Sequence, residues 1–205
     1  MAPDYWSKAK RELCRADPVL ASIIRAHPRI ALSRRGEPFV TLARAIVGQQ
    51  ISVKASQCIW ERLIAAAPAV APRQVIALDP AALRGCGLSE RKSEYLLDLA
   101  RHFASGALDP SCWAGMDDDA LIADLVKVRG IGRWTAQMFL IFNLLRPDVL
   151  PLDDLGLQRA ISVHYCAGRK ASLARMRKLG ALWSPWRSVA TWYLWRSLDP
   201  VPVEY

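Results

Sequence analysis

Leu125-Val126-Lys127-Val128-Arg129-Gly130-Ile131-Gly132-Arg133-Trp134-Thr135-Ala136 is the stretch on which the fold turns. An apolar run at helical spacing ends in a Gly-x-Gly turn, and a second apolar run begins at once. Two glycines one residue apart permit positive φ and clear away side chains that would hold another backbone at a distance. The amides of Gly130, Gly132 and the next turn would then point outward at a helix N-terminus, where the helix dipole adds its field; this is a ready anion site. Arg129 and Arg133 flank it. A nucleic-acid phosphate suits such a site, because that contact holds a backbone without reading its sequence. The plainer alternative is a tight helix–helix turn that merely needs glycine.

Working outward, apolar residues recur at helical spacing and β-branched alternation is nearly absent, so an all-α fold is expected. Pro38 opens a run with Phe39, Val40, Leu42, Ala43, Ala45, Ile46 and Val47 on an apolar face, interrupted at Gly48. Ser52 is placed to cap a second run that reaches Leu63 and Ile64. Ser89 caps a helix carrying Tyr95, Leu96, Leu99, Ala100 and Phe103, stopped by Gly106. Asp117 caps another, with Leu121, Ile122, Leu125, Val126 and Val128 expected inward. Ser184-Pro185 reads as an N-cap followed by proline at the first helical position. The helix behind it, Trp186 to Leu198, is apolar almost all round and should be buried.

The 205 residues carry 28 Lys and Arg against 19 Asp and Glu, a net charge of +9. A balance of this sign points to a polyanionic partner, nucleic acid before membrane surface. The excess gathers beyond Leu155, where Arg159, Arg169, Lys170, Arg175, Arg177, Lys178, Arg187 and Arg196 face only Asp199 and Glu204. No basic amphipathic helix with a strong apolar face stands out, nor any membrane span, and the stretch Met1 to Arg11 lacks a signal-peptide core. The five cysteines, Cys14, Cys58, Cys86, Cys112 and Cys166, are odd in number with no two at C-x-x-C spacing. They are expected to be reduced and mostly buried thiols of a cytoplasmic protein, with no metal site and no cofactor.

Val128-Arg129-Gly130-Ile131-Gly132-Arg133-Trp134-Thr135-Ala136 resembles the helix-hairpin-helix element of the base-excision DNA glycosylase superfamily. Leu150-Pro151-Leu152-Asp153-Asp154-Leu155-Gly156-Leu157-Gln158-Arg159 is similar to the segment that carries the superfamily's essential aspartate. Two further stretches, Ala45-Ile46-Val47-Gly48-Gln49-Gln50-Ile51-Ser52 and Trp183-Ser184-Pro185-Trp186-Arg187-Ser188, resemble the 3-methyladenine (alkylpurine) branch. The four matches stand in the family's order. The resemblance implies a single glycosylase unit over residues 1–205, built as two helical lobes with a DNA-binding cleft between them. One lobe is expected at about 40–145, including the hairpin at 125–136; the other joins about 1–39 to 146–205. It also implies a compact member without the N-terminal β domain of some relatives, acting as a monomer on duplex DNA that contains alkylated bases. As a bacterial-type cytoplasmic protein it would be associated with the nucleoid through that DNA.

Spacing alone makes Asp153 and Asp154 N-cap residues, a common use of aspartate. The resemblance assigns the catalytic carboxylate to Asp154 and leaves Asp153 as cap or bystander. A fixed anion there would stabilise the oxocarbenium character of a sugar losing its base and could orient or deprotonate the attacking water. Eight tryptophans include several that must be core. Trp134 and Trp195 match positions lining the flipped-base pocket, where indole faces attract a cationic purine, although core packing serves equally well for either. Met138 stands where some relatives have an aromatic. Gln50 could reach the pocket or be a buried helix-capping glutamine. Arg129, Gly130, Ile131, Gly132, Arg133 and Thr135 make up the DNA-binding hairpin. Leu88 is the expected wedge that fills the gap left by flipping; Ser89 and Glu90 are neighbouring alternatives, and Leu88 could instead be a hydrophobic staple beneath the Ser89 cap. Arg187 reads as a structural ion pair. Two other classes carry part of this pattern: a non-catalytic hairpin DNA-binding module, which needs neither Asp154 nor the tryptophans, and a glycosylase of the same fold for oxidised or mismatched bases.

Bifunctional relatives use a lysine where this chain has Trp134, and tryptophan cannot form a Schiff base. The adenine-mismatch and bifunctional branches' C-terminal cysteine cluster is missing as well. Incubated with abasic duplex at neutral pH, the purified protein should leave the strand intact until alkali is added. Strong nicking without alkali would contradict the monofunctional assignment.

Overall fold

The computed structural model describes residues 2–199, and among them there is no strand. In chain order the α-helices are α1 (Trp6–Ala16), α2 (Pro18–Ala26), α3 (Pro38–Gly48), α4 (Val53–Ala66), α5 (Pro72–Ala77), α6 (Pro80–Gly85), α7 (Glu90–Ala104), α8 (Asp118–Leu125), α9 (Arg133–Phe142), α10 (Leu155–Tyr165), α11 (Leu173–Trp183) and α12 (Arg187–Leu198). Among the described residues one 3-10 turn, Trp113–Gly115, precedes α8, and of the five cysteines only Cys86 is buried, fewer than expected. No helix among the described residues is long and apolar enough to cross a membrane.

The chain divides into two compact units. One spans Arg35–Phe139; the other joins residues 2–34 to residues 140–199, and the division falls inside α9. In the first unit α3, α5 and α6 pack against α7, whose Leu96, Leu99 and Ala100 are completely buried. The apolar face expected from Phe39 to Val47 supplies the buried Phe39, Leu42, Ala43, Ile46 and Val47 of α3. A relay of edge-on rings, Phe39–Phe103–Trp113–Phe139, with centroids 5.3, 6.0 and 5.5 Å apart, ties α3, α7, the 3-10 turn and α9 together.

In the second unit α12 is the central helix, packed by α1, α2, α10 and α11 and buried from Ser188 to Leu194. Its start differs from the expectation. The helix begins at Arg187, and Ser184 caps the end of α11 instead of opening α12, its hydroxyl donating to Asp148 Oδ2 at 3.0 Å. Val126, expected inward, lies just past the end of α8 and is 41% exposed, because the chain turns there.

One buried carboxylate binds this unit together across the sequence. Asp17 caps α2, its Oδ1 accepting from Val19 N at 2.9 Å and Leu20 N at 3.1 Å. Its Oδ2 accepts from Tyr165 OH and Trp183 Nε1, both at 2.8 Å, and the residue is only 2% exposed. The ends of α10 and α11 are thereby drawn to the α1–α2 junction, and burial with the Asp17 contact pushes the Tyr165 phenol well above its ordinary range. Removing the acceptor strands two buried side-chain donors. Asp17→Ala should cost about 3 kcal/mol, roughly 6–12 °C in Tm, read by thermal denaturation; a shift below 2 °C would show that the anchor is dispensable.

Candidate active site and hairpin

The hairpin lies wholly in the Arg35–Phe139 unit up to the first turns of α9. Asp117 caps α8 through Ala120 N at 2.8 Å. Beyond Leu125 the backbone turns twice, with Val128 N donating to Leu125 O and Ile131 N to Val128 O, and both Val128 and Ile131 are buried. Gly130 adopts φ +84°, and a Cβ there would run into the Tyr95 ring, so glycine is required twice over. Gln49 Nε2 donates to Gly130 O at 2.8 Å, and Asp98 Oδ2 accepts the Arg129 amide at 2.9 Å; these two bonds clamp the turn to α3 and α7. Gly132 is different. Its φ is ordinary and no protein atom lies within 4 Å of a Cβ built there, so space next to it is kept open to the outside. Ala136 N makes the first bond of α9 back to Gly132 O, and the amides ahead of it stand at the positive end of the helix.

Two expectations for the hairpin change. Ile131 was expected among DNA-binding residues, but its side chain is core, 4% exposed, and its amide is spent inside the turn. Arg129 and Arg133 already hold carboxylates: Arg129 sits 3.4 Å from Glu94 and 3.9 Å from Asp98, and Arg133 lies 3.1 Å from Asp119. Both arginines are more than half exposed, and such pairs are worth at most about 1 kcal/mol, so a phosphate can compete for them.

Asp154 lies in the other unit. It is the N-cap of α10, and its Oδ1 accepts from Leu157 N at 2.6 Å and from Trp195 Nε1 at 2.8 Å. Capping and the candidate catalytic role therefore fall on one residue, while Asp153 is exposed and caps nothing. A Cβ at Gly156 would come within 3.1 Å of both Asp154 Oδ1 and the Trp195 ring, so glycine lets the indole approach. Trp195 stacks on Phe142 at 5.7 Å and 17°, and Phe142 meets Trp192 edge-on at 6.0 Å. Gln158 Nε2 braces the preceding loop through Leu152 O at 2.9 Å. Asp154 is 8% exposed, Leu155 beside it 78%.

Of the remaining expected site residues, Trp134 stands 42% exposed in the first turn of α9, with Thr135 and Met138 half-buried behind it. Gln50 is exposed in the left-handed region at φ 57°, so it is no buried cap; its neighbour Gln49 makes the internal bond. Leu88 is 4% exposed, part of the core beneath α7, and cannot serve as an intercalating plug without leaving that core. Ser89, which caps α7 through Lys92 N, and Glu90 are exposed at the same turn. Arg187 is the expected ion pair, bidentate to Asp148 at 2.7 and 2.9 Å. No local pattern marks Asp98 or Lys92, whose Nζ reaches Val47 O at 2.8 Å and whose pKa burial lowers.

Residues 43–185 match the model of the HhH-GPD superfamily base excision DNA repair protein. DNA-3-methyladenine glycosylase 1 of Schizosaccharomyces pombe is 32% identical over 165 residues, 78% of this chain and 72% of that protein. The crystal structure of a DNA-3-methyladenine glycosidase from Bacillus halodurans superposes with a TM-score of 0.85 at 34% identity, covering 92% of this chain and 87% of that one. A 3-methyladenine DNA glycosylase of Schizosaccharomyces pombe, solved in complex with abasic DNA, gives 0.80 at 29% identity, covering 97% and 98%. The chain spans 66% to 72% of the length of curated relatives from Bacillus subtilis and Schizosaccharomyces pombe. This chain belongs to the HhH-GPD superfamily of base excision DNA repair proteins.

The two hairpin glycines should separate in their effects. Gly130→Ala combines a left-handed backbone with overlap on Tyr95 and should cost about 3 kcal/mol or more. Gly132→Ala should leave the melting temperature within about 2 °C of wild type, since nothing crowds it. Equal destabilisation by both would contradict the distinction.

Proposed function

We propose that this protein is a monofunctional DNA glycosylase that hydrolyses the N-glycosidic bond of alkylated purines, 3-methyladenine-type lesions, in duplex DNA. The observation that carries the proposal is the double anchoring of Asp154 by Leu157 N and Trp195 Nε1. A carboxylate so held cannot swing away when a cationic centre forms beside it, and preorganised charge of this kind is the largest common source of transition-state stabilisation. In the proposed reaction the C1′–N bond breaks and the base departs with the bonding pair, leaving a sugar with oxocarbenium character next to Asp154. Water then attacks C1′ and loses its proton to Asp154 or solvent. A purine already positive from alkylation leaves as a neutral molecule, so no second acid is required.

The family membership and the relatives' names support the substrate class. The relative solved with abasic DNA supports DNA as the partner. We assign contact with the base to Trp195, which bonds Asp154 and whose indole suits a cationic purine; the family resemblance supports the same role for Trp134, Met138 and Gln50. Phosphate binding is assigned to the α9 amides with Gly130, Gly132 and Thr135, helped by Arg129 and Arg133 once they release their carboxylates. The protein would act as a monomer on duplex DNA, with affinity that falls as salt rises.

Single-turnover release of 3-methyladenine from methylated duplex tests the role of Asp154. Asp154→Asn should slow release by about 100-fold or more. Trp195→Phe, which keeps the ring on Phe142 but removes the donor, should slow it by about tenfold. Release at the wild-type rate by a folded Asp154→Asn protein would refute the assignment.

A further inference from the structure

The N-terminal end of α10 presents a surface that the proposed chemistry leaves unused. Leu155 is 78% exposed, the most exposed large apolar side chain among the described residues. Scattered surface leucines are ordinary, but this one is held out by its neighbours. Asp154 turns its carboxylate to Trp195, Gly156 lies close beneath that indole, and Leu157 is buried. Four and eight residues on, Arg159 and Val163 are exposed on the same side of the helix, Val163 at 48%. The buried Leu157, Ala160 and Ile161 occupy the opposite side.

Charge identifies what this stripe meets. No Asp or Glu occurs between Asp154 and Asp199, and among the described residues Arg159 makes no ion pair, unlike the paired arginines of the hairpin. The Cα of Leu155 is about 3.8 Å from that of Asp154, so a sugar set against the carboxylate comes within reach of the leucine. Arg159 follows about 6 Å further along the axis, at the distance of the neighbouring backbone phosphates.

We propose that Leu155 and Arg159 form a DNA contact built into α10: Leu155 packs on the sugar of the nucleotide flanking the excised base, and Arg159 holds an adjacent phosphate. The contact rests on the function proposed above, in which the lesion sugar sits at Asp154. It holds the strand beside the lesion nucleotide without reading sequence.

Binding to a duplex with a single abasic site, measured by fluorescence anisotropy over a series of NaCl concentrations, separates the two contacts. Leu155→Ser should weaken binding about tenfold while leaving the salt dependence unchanged, as expected for an apolar contact. Arg159→Gln should lower the slope of log affinity against log salt by about one, the signature of one lost phosphate contact. Lys178→Gln, on the exposed side of α11, removes the same charge elsewhere and should change affinity less than twofold. Both α10 variants should melt as wild type does. If wild type excises the lesion and Leu155→Ser and Arg159→Gln bind like it, this contact is wrong and the glycosylase assignment stands. A Lys178→Gln loss equal to that of Arg159→Gln also overturns it, by showing a diffuse field. A wild type that neither excises nor binds the abasic duplex overturns both.

Discussion

Two donors on one oxygen set the geometry of the candidate active site. Leu157 N and Trp195 Nε1 both bond Asp154 Oδ1, and each is itself immobilised. Leu157 belongs to the first turn of α10, and Trp195 lies between Asp154 and the Phe142 ring on a helix buried for most of its length. Charge-assisted bonds are about twice as strong as neutral ones, so the carboxylate is fixed by backbone, indole and core together. Gly156 leaves room for this arrangement, since a Cβ there would lie 3.1 Å from both the Asp154 oxygen and the indole and would press on each.

A second carboxylate in the same unit shows what distinguishes structure from site. Asp17 is also an N-cap and also bonds a tryptophan, Trp183. It receives four donors, two on each oxygen, and is sealed between α2, α10 and α11. Asp154 caps a helix whose next residue, Leu155, stands in solvent. The same local chemistry holds the fold together at one end of α10 and presents an anchored anion at the other.

Helix starts were largely legible because capping is a local event. Ser52, Ser89 and Asp117 cap the helices expected of them, each through a backbone amide three residues on. Ser184-Pro185 misled for a physical reason: the hydroxyl finds Asp148, a partner far away in sequence, and α12 waits until Arg187. The same blindness to distance hid Asp17, Asp98 and Lys92, whose bonds reach other elements. Gln50 enters through the Gln49-Gln50-Ile51-Ser52 resemblance, which cannot assign separate tasks to two adjacent glutamines, and it is Gln49 that makes the internal bond, to Gly130. Leu88 failed because a leucine before a helix cap serves as readily beneath the cap as above it, and burial decides which. Asp154 itself rested on resemblance; spacing could offer only a cap, and the structure makes it one.

A carboxylate that supports positive charge on a sugar should tell two baseless duplexes apart. One carries a neutral tetrahydrofuran in place of the lesion nucleotide, the other a protonated pyrrolidine that mimics the charged transition state, and transition-state mimics bind more tightly than neutral counterparts. Wild type should prefer the cationic duplex by about 100-fold or more, and Asp154→Asn should lose most of that preference. An equal preference in wild type and Asp154→Asn would show that Asp154 does not stabilise the charged sugar.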